Sequence, residues 1–204
     1  MPEPASRPFR LGAIVLAAGG SSRMGTSKQL LQVGGISLVA RAVDAALGSG
    51  AAPVAVVLGA NAEKVHAEVA GRPILAAHNP DWATGIASSI RVGIAALLGA
   101  EPALDAVVVA PCDQPALSSG VISRLADIHR STGQVAAARY DGRNGAPAVF
   151  GRDHFSALSS LSGDEGARRI LNSDPGRVAS LDLPALGADL DTPADFAAWV
   201  DSKA

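Results

Sequence analysis

The chain has 204 residues, with 17 Lys plus Arg against 19 Asp plus Glu, for a formal charge of −2. That near-balance excludes the basic surface of a polyanion-binding protein, and 48% hydrophobic against 18% charged residues excludes a disordered chain. Aromatics at 3% leave a core of Ala, Val, Leu and Ile with no base-stacking face, and a single cysteine forms no intrachain disulfide.

Residues 1–10 carry prolines and arginines without an apolar stretch, and read as a mobile arm before one domain over 11–204. Mean hydropathy is +0.25, yet no apolar run approaches the ~18 residues that span a bilayer. A cytoplasmic protein with no membrane partner is expected. Residues 11–18 form a near-continuous apolar run ending in glycine, a strand buried on both faces. Residues 36–47 have helical spacing. Residues 53–58 read as a second buried strand, 62–70 as a helix capped by Asn61, and 73–78 as a weaker strand. Residues 84–98 read as a helix stopped by Gly99 and Pro102. A β-rich run follows at 105–110, then a helix over 117–129 capped by Ser118 or Ser119.

Beyond Thr132 the pattern changes. Strands at 134–140 and 146–150 flank the polar turn Asp141-Gly142-Arg143-Asn144-Gly145, a hairpin signal. Helices are expected near 153–160 and 164–172, a short strand at 177–181, and a last helix at 193–200. Strand–helix alternation predicts a three-layer α/β/α, Rossmann-like architecture: a mainly parallel sheet with an antiparallel hairpin late in the chain. Ligands of such sheets bind beyond the carboxyl ends of the strands, so chemistry is expected just after strands one, three and four.

The loop after the first strand reads Leu16-Ala17-Ala18-Gly19-Gly20-Ser21-Ser22-Arg23-Met24-Gly25-Thr26-Ser27-Lys28. Small residues let the backbone approach a ligand, and successive N–H groups make an anion nest. Arg23 and Lys28 add positive charge, which together suits a polyphosphate; a flexible Gly/Ser loop with two solvated cations is the plain alternative. Gly20 and Gly25 have P-loop spacing, but Thr26 stands where that motif needs lysine, and the G-x-G-x-x-G dinucleotide fingerprint is absent.

This segment resembles the signature loop of the nucleotidyltransferases that activate molybdopterin, L-A-[AG]-G-x-S-x-R-M-G-x-x-K. The resemblance implies that Leu16, Ala17, Ala18, Gly19, Gly20, Ser21 and Gly25 wrap the nucleotide triphosphate, with Arg23 and Lys28 neutralising it. Ala18 is similar to the cytidylyl branch of the family, since the guanylyl branch typically has glycine there.

Asp113, in Pro111-Cys112-Asp113-Gln114-Pro115 after the β-rich run, suits Mg²⁺, a hard cation that prefers oxygen ligands. A turn-capping Asp is the plain alternative. The same family has an aspartate here that binds the metal, Mg²⁺ or Mn²⁺. Asp191, in Asp189-Leu190-Asp191-Thr192-Pro193, reads locally as a helix N-cap; the resemblance makes it a second metal ligand. Cys112 reads as a packing residue. The segment Asn79 to Ile90 resembles the N-x-x-W-x-x-G-x-x-S-S-I element that helps hold base and ribose, which implies nucleotide contacts from Gly85 and Ser89 with Asn79 behind them. Gly145 and Pro147 resemble a strand near the acceptor. Asp164 and Arg168 resemble a G-D-x-G-A-R element on the pterin side, or form a plain intrahelical ion pair. The four histidines show no ligand spacing.

The resemblance spans about residues 11–200 and implies transfer of a cytidylyl group from CTP to the terminal phosphate of molybdopterin, with Arg23, Lys28 and Asp113 carrying the catalysis. Guanylyl transfer from GTP and a non-catalytic nucleotide- or cofactor-binding protein are the alternatives. A receiving molybdoenzyme or its maturation chaperone is the implied protein partner, and nucleic acid is not.

Overall fold

The computed structural model describes residues 7–21, 27–164, 166–173, 175–187, 196 and 199. Strand β1, Leu11–Ala17, leads to a small hairpin, β2 Gln32–Val33 and β3 Ile36–Ser37, and then to helix α1, Leu38–Gly48. Strand β4, Val54–Leu58, helix α2, Ala62–Glu68, and strand β5, Leu75–His78, follow. Next come helix α3, Ile86–Ala100, strand β6, Ala106–Pro111, and helix α4, Ser119–Thr132. The chain then forms strands β7, Val135–Tyr140, and β8, Arg143–Gly151, helices α5, Phe155–Ser159, and α6, Arg168–Ser173, and strand β9, Val178–Asp182.

Among the described residues the main sheet has seven strands in the order β5-β4-β1-β6-β8-β7-β9. β1 pairs in parallel with β4 on one side and β6 on the other. β8 is antiparallel to both β6 and β7, and β9 rejoins in parallel with β7. The mainly parallel sheet and its late antiparallel strand are therefore as the alternation predicts.

Strand alternation divides the core in two. Ala13, Val15 and Ala17 of β1 pack with Val43 of α1, Val65 of α2, and Ile122 and Leu125 of α4. Ile14 faces the other way, onto Ile90, Ile94 and Leu97 of α3 and Leu158 of α5. Each Val, Leu or Ile side chain among these contributes roughly 1.5–3 kcal/mol on full burial. Helix α3 lies close on the sheet because Gly93 has no side chain: a Cβ there would sit 2.5 Å from Ile14 Cγ2.

Several element boundaries move for local reasons. The helix expected from residue 36 begins at 38, because Gly34 and Gly35, both at positive φ, turn the chain so that Ile36–Ser37 pairs with Gln32–Val33. Ser37 then caps α1, accepting from the Ala40 N–H. Asn61 does not cap α2 through its side chain; it sits in the left-handed region at φ 57 and donates to Ser27 Oγ at 2.8 Å. Helix α3 starts at 86 rather than 84, since Gly85 at φ 114 ends a preceding 3₁₀ turn at Trp82–Thr84. The late hairpin turns on Asp141 and Gly142 alone, both at positive φ, so β8 is longer than expected. Asp164 precedes α6 in a turn, and among the described residues no ion pair joins it to Arg168. The helix expected at 193–200 lies outside the described residues except for Phe196 and Trp199. Residues 7–10 of the expected arm rest on the body, with Arg7 and the Arg10 N–H bonded to the Asp105 carboxylate.

No helix among the described residues is long and apolar enough to cross a membrane.

Candidate active site

The chain runs β1, β4, β5 outward in one direction, and β6 returns to the other side of β1. The carboxyl ends of β1 and β6 therefore border the crevice where the winding direction changes, the place such sheets bind ligands. Leu16 pairs with Pro111 there. The glycine loop leaves β1 at this point, and Asp113 follows β6.

Lys28 Nζ lies 2.7 Å from Asp113 Oδ2, with both side chains mostly covered. Twelve residues after Leu16, the chain has thus brought its cation back to the acid at the end of the neighbouring strand. Gln29, buried, shapes the loop from beneath. Its Nε2 donates to the carbonyls of Ala17 (3.2 Å) and Gly19 (2.5 Å), and its Oε1 accepts from Ser21 Oγ (3.2 Å). Ser21 Oγ in turn accepts the Lys28 N–H at 3.0 Å. Ala17 is core, and Ser21 holds the loop's shape. Arg23, Gly25 and Asp191 lie outside the described residues.

Two cavities meet at Asp113. The loop-side cavity, about 330 Å³, is lined by Ala18, Gly19, Gly20, Lys28, Trp82, Gly85 and Ser89. The other, about 290 Å³, is lined by Ile90, Gln114, Tyr140, Ala146, Ala148 and Arg168. Leu16, Ile86, Pro111, Asp113 and Asp164 belong to both walls. Asp164 is exposed, and it reaches this border because Gly85 lacks a side chain: a Cβ there would lie 2.5 Å from Asp164 Oδ1 and from the Gly163 carbonyl oxygen. The same carbonyl accepts the Ala87 N–H, so that donor of the α3 terminus is already paired.

On the second wall the strand's alternation puts Ala146 and Ala148 inward in place of Gly145 and Pro147, the positions singled out from sequence. Gly145 instead makes room for the Tyr140 hydroxyl, 2.5 Å from where its Cβ would be. Asn79 reaches neither cavity. Cys112 is buried, and burial, reinforced by Asp113, pushes its thiol pKa far up, which leaves it no nucleophilic thiolate.

Three contributors were given no role of their own from the sequence, although Gln114 and Trp82 stand inside the quoted elements. Gln29 and Gln114 are polar residues in tight local runs, and neither carries a spacing signal. Gln114 Nε2 binds the carbonyls of Ala146 (2.9 Å) and Leu186 (3.3 Å), tying the end of β6 to β8. Trp82 lies across the glycine loop, its ring 3.0 Å from where a Cβ at Gly20 would be; only tertiary contact reveals that.

The MobA-like NTP transferase domain family matches residues 13–179. The chain belongs to this family. It is 35% identical to nicotine blue oxidoreductase of Paenarthrobacter nicotinovorans over 88% of this chain and 91% of that protein. It is 30% identical to molybdenum cofactor guanylyltransferase of Rhodobacter capsulatus over 92% and 88% of the two chains. The crystal structure of Rv0371c from Mycobacterium tuberculosis superimposes with a TM-score of 0.78 at 28% identity, covering 95% of this chain and 99% of that one. A complex of Rv0371c with manganese superimposes at 0.74, with 25% identity over 95% and 98%. The fold of this MobA-like protein is thus the α/β nucleotidyltransferase fold. These two relatives carry names from different reaction classes, so the chemistry of this chain has to come from its own site.

Proposed function

We propose that this MobA-like protein transfers a cytidylyl group from CTP to the terminal phosphate of molybdopterin or its molybdenum form, releasing pyrophosphate. The observation that carries this reading is the pair of cavities meeting at Asp113, with Lys28 against it. One compartment suits the nucleotide and the other the acceptor, and the shared border is where a group passes between them.

In this reading the loop-side cavity takes CTP, with the backbone of Ala18, Gly19 and Gly20 around the triphosphate. An acceptor phosphate oxygen attacks the α-phosphorus, and the bond to the bridging oxygen breaks as pyrophosphate leaves. A phosphate dianion needs no general base at neutral pH, so catalysis is positioning and charge stabilisation. Lys28 turns from Asp113 to the leaving pyrophosphate, Arg23 assists, and Asp113 is freed for a cation. The Asp113 carboxylate fits Mg²⁺ or Mn²⁺, hard ions that take one or two protein carboxylates and complete their shell with phosphate oxygens and water. Asp113, with Asp191 as second ligand, would hold such an ion, which when bound lowers the negative charge at the α-phosphate. The binding of manganese by the mycobacterial relative supports a divalent ion. Arg168 and Asp164 orient the acceptor.

Ala18 supports the smaller base. Its methyl lies on the loop-side wall, and the end of β4 presses on it so closely that a Cβ at Gly59 would lie 2.8 Å from it. The guanylyltransferase name of the Rhodobacter relative makes GTP the competing donor.

Pyrophosphate release, measured with each ribonucleoside triphosphate, Mg²⁺ or Mn²⁺, and with or without the pterin acceptor, tests this. Release that needs acceptor and runs fastest with CTP is expected. A preference for GTP overturns the base assignment. Binding of nucleotide with no release under any condition leaves a nucleotide-binding protein rather than an enzyme.

A further inference from the structure

Helix α3 does more than cover the sheet. One face of it carries the turn that brings Asp164 and Arg168 to the second cavity. Ala87 and Arg91 stand four residues apart, about one helical turn, and so lie on the same face. The Ala87 N–H donates to the Gly163 carbonyl at 3.2 Å, and Arg91 Nη1 donates to the Leu161 carbonyl at 2.6 Å. Gly166, at φ 55, rests on the same helix: a Cβ there would lie 2.7 Å from Ile86 Cγ2 and 3.7 Å from Ile90 Cδ1. Leu161, Gly163 and Gly166 are thus each fixed to α3, with Asp164 between these points and Arg168 just beyond them.

The three moorings differ in strength. The bond from Ala87 is a neutral one between backbone groups, and Gly166 makes a van der Waals contact. The bond from Arg91 is short and charge-assisted, a kind roughly twice as strong as a neutral one. Leu161 is buried and Arg91 half-buried, so water competes little for this bond. Ser162, Gly163 and Asp164 are exposed, so packing does little to fix them and the moorings on either side decide where they sit. Arg91 itself lines neither cavity.

We propose that Arg91 is a positioning residue for the acceptor: by holding the Leu161 carbonyl, it fixes where the turn sets Asp164 and Arg168 on the wall of the second cavity. This rests on the reading that the second cavity takes the acceptor, and adds a residue outside both cavities that sets how tightly the acceptor binds. Arg91 touches no substrate. Arg168 belongs to the second wall and not to the loop-side one. The loop-side wall is built by the glycine loop and by Gly85 and Ser89 on the backbone of α3 and its approach, which need no mooring from Arg91. The effect of Arg91 therefore falls on the acceptor and spares the nucleotide.

Steady-state pyrophosphate release by the whole protein with Mg²⁺, varying CTP and molybdopterin in turn, tests it. Arg91→Met raises the KM for molybdopterin about 10-fold, the size of one lost charge-assisted bond, and leaves the KM for CTP within about twofold. Arg91→Lys recovers most of the loss, because a single carbonyl needs one cationic donor rather than a planar fork. In an Arg168→Met background, Arg91→Met adds less than about threefold, since a group that it positions is already gone. Hydrogen exchange of the Ala87 amide, read without substrates, quickens in Arg91→Met as the Gly163 carbonyl drifts from it, while that of Leu97 further along α3 does not. Where Arg91→Met fails to fold, Arg91→Gln, a neutral donor, serves in the same comparison. An unchanged KM for molybdopterin in Arg91→Met, an equal rise for both substrates, or full additivity with Arg168→Met overturns the proposal while the acceptor reading stands. No molybdopterin-dependent release by the unaltered protein overturns that reading and the proposal with it.

Discussion

At the scale of single residues, the proposed function rests on the Lys28–Asp113 contact, where a loop cation meets a strand-end acid. Lys28→Ala should lower kcat/KM about 10²-fold or more, the size of losing one charge-stabilising donor; a steady-state loss under about threefold on that scale removes lysine from the mechanism. Ala18→Gly should raise the GTP-to-CTP ratio of kcat/KM, because it removes the methyl that narrows the loop-side wall. Cys112 makes a prediction of opposite character. Burial holds its thiol protonated in the fold, while the unfolded chain releases that proton above its ordinary pKa of about 8.5. The folded form thus binds more protons between these values, and stability falls as pH rises through that window, by about 2 kcal/mol at pH 10. Urea midpoints at pH 7 and pH 10 should show the fall, and Cys112→Ala should flatten it.

At the scale of elements, glycine decides how closely segments approach. Gly93 seats α3 against Ile14. Gly93→Ala should destabilise the fold by about 1–3 kcal/mol, the cost of overpacking, read from urea unfolding with unchanged secondary structure. Ser118, whose hydroxyl accepts from the Val121 N–H to cap α4, should lose about 1 kcal/mol as alanine. These elements also show what was legible beforehand. β1, β4 and β6 stand within a residue or two of expectation, because strands buried on both faces have an apolar run that nothing else in a short segment explains. The starts of α1 and α3 moved because Gly34, Gly35 and Gly85 adopt positive φ, a conformation glycine permits but does not announce. The role of Asn61 changed for a similar reason: an Asx residue before a helix reads as a cap, and its bond to Ser27 is a contact over 34 residues.

At the scale of the whole molecule, the site exists because three separate stretches reach one crevice. The glycine loop brings the cation, β6 brings the acid, and Gly163 and Asp164 lean on Gly85 to close the border between two cavities. Nucleotide binding should therefore stabilise the fold as a unit. CTP with Mg²⁺ at about 100 times its Kd should add about 2.7 kcal/mol, a rise of roughly 5–10 °C in Tm for a chain of this size. A thermal scan with no shift under saturating nucleotide counts against the site.

The amino-acid sequence determined the layered α/β architecture, the phosphate-suited loop and the acid after the fourth parallel strand, since each is written in local periodicity or in a short run of residue types. The tertiary structure alone decided that Gln29 shapes the loop, that Ala146 and Ala148 face the cavity in place of their neighbours, and that Asn79 is buried against Ser88 and Ser89 rather than on a cavity wall. These are consequences of which atoms meet across long sequence separations. Hydrogen-bond direction and strand facing are set by such meetings, and a linear pattern carries no record of them.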